Sequence, residues 1–155
     1  MTIMETKLEQ WSVADKAVDL VLLFSVLFHV DRADREALFQ QLFTRMAPNG
    51  VVAIVSPLPK AAIIRLVEGL GNPAKVFHDE MADKEMLAAG FKLVCKQDLK
   101  GPADWSQPLE FLVTLGLHLT DNLASEQEVR AAIDDLYGSF TGSGYFRKTL
   151  AIFSK

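Results

Sequence analysis

With 155 residues, half of them hydrophobic, the chain is long enough for one domain with a sizeable core. A formal net charge of −4 argues against nucleic acid or an anionic membrane surface as partner, and the single cysteine, Cys95, excludes an internal disulfide, so a cytoplasmic location is the default. Met1 to Gln10 carries Glu5, Lys7 and Glu9 without the apolar centre of a signal peptide, and no apolar run approaches the length of a membrane span.

Met1 to Lys16 is polar, with Ile3, Leu8, Trp11 and Val13 scattered through it. Residues 1–17 are expected to be mobile unless Trp11 docks on the core. Val18 to Phe24 is then a continuous apolar run of strand length, of the kind found in strands buried on both faces. Asp31 is a candidate helix N-cap. After it Leu38, Phe39, Leu42, Phe43 and Met46 form one helical stripe, with Asp34 and Glu36 in the first turns and Arg45 in the last, as the helix dipole favours. Pro48-Asn49-Gly50 is expected to stop that helix, and Val51 to Val55 reads as a second strand ending at Ser56-Pro57. Strand, helix and strand in this order predict two parallel strands with a right-handed crossover.

Ile63, Ile64, Val67 and Leu70 fit a further helix, packed across the sheet or serving as a lid. Gly90 suits the left-handed position that ends the next helix, and Phe91 to Gln97 alternates as a strand with Cys95 among its inward-facing residues. Gly101 to Pro108 reads as a loop. Leu109 to Leu119 is apolar on nearly every side and is expected to be covered by neighbours or a partner. Ser125 and Glu128 have capping-box spacing at the start of a helix with stripe Val129, Ala132, Ile133, Leu136 and Tyr137, ending at Gly138. Gly142-Ser143-Gly144 turns into a last strand between Phe146 and Lys155. The histidines His29, His78 and His118 lack metal-ligand spacing, so no metal site is read.

An aspartate-led apolar strand, then Ser25-Val-Leu-Phe-His29-Val, a helix closed by Met46-Ala-Pro-Asn-Gly50 and a strand Val51-Val-Ala-Ile-Val55 resembles the central segment of class I S-adenosylmethionine-dependent methyltransferases. Met86 to Val94 is similar to that family's later helix and strand, and Phe146 to Lys155 to its last strand. The resemblance implies an α/β fold: a partial doubly wound sheet of about four strands, three parallel and the last antiparallel between the second and third, with helices on both faces. Missing is the family's opening strand and glycine-rich loop; no G-x-G precedes residue 18, so the likeness covers the C-terminal half of the family's domain.

The resemblance also implies a site. Leu8 and Glu9 would flank the adenine of S-adenosylmethionine, Phe24 and Ser25 would border the cofactor at the strand end, and Phe28 and His29 would face the substrate. Ligands of open α/β sheets bind outside the carboxyl ends of the strands, which agrees with the Ser25 to His29 turn. His29 is a candidate general base, since an imidazole titrates close to neutral pH; the alternative is a ring packed at the head of the helix. Two functions follow: a small-molecule methyltransferase, truncated or split and inactive without its N-terminal half, or a non-catalytic methyltransferase-like module for dimerisation, regulation or ligand binding. In either, Val18 to Phe24 would be an apolar sheet edge needing cover, from the N-terminal segment, a second copy as homodimer or a complementing chain.

Overall fold

The computed structural model describes residues 18–59, 61–99, 109–121, 123–139 and 148–155. In chain order these form β1 (Val18–Phe24), a 3-10 turn (Leu27–His29), α1 (Arg32–Arg45), β2 (Met46–Pro57), α2 (Ala62–Gly69) and a second 3-10 turn (Pro73–Lys75). There follow α3 (Asp79–Ala88), β3 (Lys92–Leu99), α4 (Leu109–Leu119), α5 (Glu126–Ser139) and β4 (Lys148–Ser154). Among the described residues no helix is long and apolar enough to cross a membrane. Leu8 and Glu9, the loop 101–108 and the turn 142–144 lie outside the described residues.

The sheet order is β1-β2-β4-β3. β1 and β2 are parallel, and β4 runs antiparallel to both β2 and β3, so the last strand sits where the resemblance placed it and β1 forms an edge. Alternation along each strand decides which side chains enter the core. Val21 and Leu23 of β1, Val52 and Ile54 of β2, and Ala151 and Phe153 of β4 face the same way, against Phe39 and Leu42 of α1 and Ala82 and Met86 of α3. This is the main core, and α1 presents to it the stripe that its spacing predicts.

Three expectations are corrected here. The helix α1 stops at Arg45, before Pro48-Asn49-Gly50, and Met46 is the first, fully buried residue of β2. Its N–H still closes the helix on the Leu42 carbonyl, but the backbone has already turned extended, as the chain approaching a proline prefers. Pairing starts at Val18 with Met46 and resumes at Leu20 with Val51, so Ala47–Gly50 bulge from the ladder. Gly50 is required there: a Cβ would stand 2.9 Å from the Val18 carbonyl oxygen and 2.6 Å from Met46 Cε.

The second correction concerns β1, expected to be buried on both faces. Leu20, Leu22 and Phe24 are 57%, 69% and 64% exposed, because the described helices α1 and α3 cover only the other face. The third is Cys95, which is exposed: β3 is the opposite edge strand, every residue of it is exposed, and a register irregularity between Leu93 and Cys95 turns the thiol to the open face, opposite Ile152.

Gly90 does end α3 as expected, with φ +103°. The Gly90 N–H donates to the Leu87 carbonyl and the Phe91 N–H to that of Met86, the paired bonds of a Schellman motif. The remaining helices form a second layer. α2 packs on α4 and α5 rather than across the sheet, burying Leu66, Val113, Val129, Ile133 and Leu136. α4 and α5 approach closely at Gly116, where a Cβ would lie 2.5 Å from Val129. The capping box at the start of α5 forms as its spacing predicts: Ser125 N–H donates to Glu128 Oε2 at 2.7 Å and Glu128 N–H to Ser125 Oγ at 3.3 Å. α5 runs through Gly138 to Ser139, one residue past the expected end.

Candidate functional site

At the carboxyl end of β1 the chain leaves the sheet through Ser25, whose φ is +53°. A left-handed conformation is unfavourable for a residue with a Cβ and persists where surrounding bonds fix it. Here the Ser25 N–H donates to the Val55 carbonyl at 3.1 Å, and Ser25 Oγ accepts from Lys148 Nζ at 2.8 Å. The same ammonium lies 5.1 Å from the centre of the Phe24 ring. Partial burial holds the Lys148 pKa below that of a free lysine. The result is an exposed aromatic ring, a hydroxyl and a desolvated cation at one strand end.

Four residues on, the 3-10 turn brings His29 against two rings, Phe28 at 4.4 Å and His118 of α4 at 4.9 Å between centroids. Lys75 Nζ donates to the His29 carbonyl at 3.4 Å and pairs with Asp31 at 2.8 Å and Asp121 at 3.6 Å. The Asp31 carboxylate stands at the N-cap of α1 but makes no cap bond, being turned to Lys75 instead. Partial desolvation of the imidazole lowers the His29 pKa, the nearby His118 and Lys75 lower it further, and Asp121 opposes them. His29 is therefore neutral at pH 7, with lone-pair capacity to accept a proton. His29, Lys75, His118 and Asp121 line a cavity of about 200 Å³. A larger cleft of about 700 Å³ opens beside it, between the end of α2 and the α4–α5 connection, with Asp31 and Asp121 on its wall.

A buried arginine holds this region in place. Arg35 of α1 is fully buried; its Nε meets both Glu85 oxygens, at 3.3 and 3.0 Å, and Nη1 donates to the Val30 carbonyl at 3.1 Å. Its guanidinium also lies 5.0 Å from the Phe77 ring centre. One side chain thus ties the exit of the His29 turn to α3.

The structure brings the sequence's candidates into two groups. Phe24 and Ser25 stand together with Lys148, and Phe28 and His29 touch; Phe28 is half-buried and packs against both the sheet core and the helical layer. Lys148, Lys75, Asp121 and Arg35 were not singled out by sequence reasoning. Lys148 lies 123 residues from Ser25 and reads locally as the polar start of a strand, so only the β4 position could have revealed it. Phe24 and Lys148 offer an aromatic face and a partner for a carboxylate, which fits one side of S-adenosylmethionine.

Residues 1–54 match the family model of a methyltransferase domain. No curated protein matches the sequence. Among solved structures, a SAM dependent methyltransferase from Archaeoglobus fulgidus is similar with TM-score 0.51 and 17% identity, over 93% of this chain and 62% of that one. The cyclopropane synthase MmaA2 from Mycobacterium tuberculosis gives 0.52 and 15%, over 95% and 57%. The mycolic acid cyclopropane synthase CmaA1, complexed with SAH and CTAB, gives 0.57 and 15%, over 95% and 57%. The chain spans about three-fifths of the length of these proteins. Residues 1–54 are thus similar to a methyltransferase domain, and the described residues share the fold of these solved structures.

Proposed function

We propose that this chain is the C-terminal part of a cytoplasmic S-adenosylmethionine-dependent methyltransferase with a small-molecule acceptor, truncated or split, and inactive without an N-terminal half carrying the glycine-rich loop. The observation that carries the reading is the carboxyl end of β1, where Ser25 is held left-handed beside Phe24 and Lys148 in the position at which open α/β sheets take ligands. When bound, the cofactor supplies an electrophilic methyl group. Lys148 is suited to hold a carboxylate and Phe24 to pack an apolar surface. His29, whose pKa is lowered by desolvation, would take a proton from an acceptor nitrogen or oxygen in the cavity that it lines. Orientation would supply most of the rate, as in other transfers between two bound molecules.

Titration of the 155-residue chain with S-adenosylmethionine and S-adenosylhomocysteine, by calorimetry and by amide chemical shifts, tests this. Weak, saturable binding in the millimolar range, with shifts confined to Phe24–His29 and Lys148, is expected. Micromolar binding would mean that the cofactor site is already complete and the need for a second half would fall. Silence at millimolar ligand would leave the non-catalytic module as the better reading.

A further inference from the structure

His29 is exposed, and so is His118, whose ring it meets at 4.9 Å, so the imidazole stands outside the core and its place depends on the backbone of the turn that carries it. Lys75 holds that backbone. Its ammonium, with the side chain 12% exposed, donates to the His29 carbonyl at 3.4 Å and pairs with Asp31 at 2.8 Å and Asp121 at 3.6 Å. The three groups belong to the turn, to the start of α1 and to the chain just after α4. Both carboxylates stand where local rules disfavour them. Asp31 occupies the N-cap of α1 and forgoes the bond that a cap residue usually makes. Asp121 is left-handed at φ +54°, a position that glycine usually takes after a helix, and it sets a negative charge at the carboxyl end of α4, against the dipole. Contact with Lys75 accounts for both departures.

We propose that Lys75 is the positioning residue of this site: acting through Asp31 and Asp121, it fixes the His29 turn against the α4–α5 connection and keeps the imidazole at the cavity that both line with His118. This rests on the proton-accepting role proposed for His29. Lys75 reaches the carbonyl of His29, so it acts through that residue and carries no proton itself. The ammonium stays charged throughout the range in which imidazoles titrate, because the hydrogen bond to Asp31 raises its pKa. Beside partial desolvation, the charges that face the imidazole are those of His118 and Lys75, which disfavour its protonation, and of Asp121, which favours it; Asp31 is engaged by Lys75. Without Lys75 the turn would lose its tie and both carboxylates would stand near the ring without a cation between them. The fold has a separate tie at the same place: Asn72 Nδ2 donates to the Leu119 carbonyl at 2.8 Å, joining the start of the second 3-10 turn to the end of α4.

The test is a proton NMR titration of the His29 and His118 ring signals in the 155-residue chain without cofactor, and in Lys75→Met, Lys75→Arg and Asp121→Asn. In Lys75→Met the His29 pKa is expected to rise, and the ring-current displacement that His29 takes from Phe28 and His118 is expected to disappear. Lys75→Arg, which keeps the charge and the carboxylate pairs, restores both. Asp121→Asn keeps a residue that tolerates the left-handed position and removes the carboxylate, so the His29 pKa should fall and part of the ring-current displacement should be lost. An ion cluster that serves stability alone would lower the thermal midpoint of Lys75→Met and leave the His29 ring signals where they were. That outcome, or a Lys75→Arg chain that behaves as Lys75→Met, overturns the proposal. If Lys75→Met does not fold, Asp121→Asn decides: His29 signals and pKa equal to those of the unaltered chain overturn it. No cofactor enters the titration, so silence toward S-adenosylmethionine would remove methyl transfer and leave the action of Lys75 on His29 standing, while unmoved His29 signals would remove Lys75 and leave cofactor binding untouched.

Discussion

Lys148 and Arg35 are both cations withdrawn from water, but their partners differ. Arg35 has the Glu85 carboxylate and a backbone carbonyl, so removing it leaves a partly buried charge unpaired. Arg35→Met is expected to lose about 3 kcal/mol in urea unfolding, the lower end of the range for breaking such pairs because Glu85 keeps some contact with water; a loss below about 1 kcal/mol would show that the pair does not anchor α1 to α3. Among the described residues Lys148 meets a hydroxyl and a ring. Lys148→Met should leave stability unchanged or raised while abolishing the response of Phe24 and Ser25 to S-adenosylhomocysteine. His29 gives a pH signature. Because its folded pKa lies below its unfolded value near 6.5, the unfolded chain binds the proton more readily. Stability is therefore full above about pH 6.5 and declines as pH falls from there toward the folded pKa, and His29→Gln should flatten this part of the thermal-midpoint profile. Equal slopes in both proteins would remove His29 from the account. Residues of this kind were only partly legible. His29 and Ser25 stood in a recognisable local pattern, whereas Lys148 and Arg35 acquire their roles from partners 123 and 50 residues away.

Elements follow the sequence where short-range chemistry decides them. The Ser125–Glu128 box and the Gly90 cap need only neighbours three to five residues away, and both form as their spacing predicts. Gly90→Ala should cost about 1–2 kcal/mol for its positive φ, with the Phe43 ring 3.1 Å from the new Cβ adding to it; equilibrium unfolding would detect a smaller effect and refute the strain. The end of α1 was misread because a proline is an obvious stop, while the helix yields three residues earlier to the extended approach that Pro48 favours and the pairing of Met46 with Val18. Cys95 was misread for a related reason. Alternation in Phe91–Gln97 assigns faces correctly only if the strand is regular and its inner face is covered, and neither holds for β3.

At the scale of the molecule, strand order and the reversed last strand were legible from the resemblance, but exposure was not. An apolar run such as Val18–Phe24 reports what a strand can bury, not what is present to bury it. Leu22→Lys should therefore change the stability of the isolated chain by less than about 0.5 kcal/mol, since the side chain is already in water, while reducing dye binding to the open face and raising solubility. A loss of several kcal/mol would mean that the stripe is covered in the folded chain.

The central position of β4 has a further consequence, for the order of events as the polypeptide is made. β2 and β3 do not pair with each other; both pair with β4, the last of the four strands to leave the ribosome. Until Lys148–Ser154 emerges, the β1–β2 unit and β3 are unconnected pieces whose inner edges lack their strand partner, and a nascent chain in that condition is a client for chaperones.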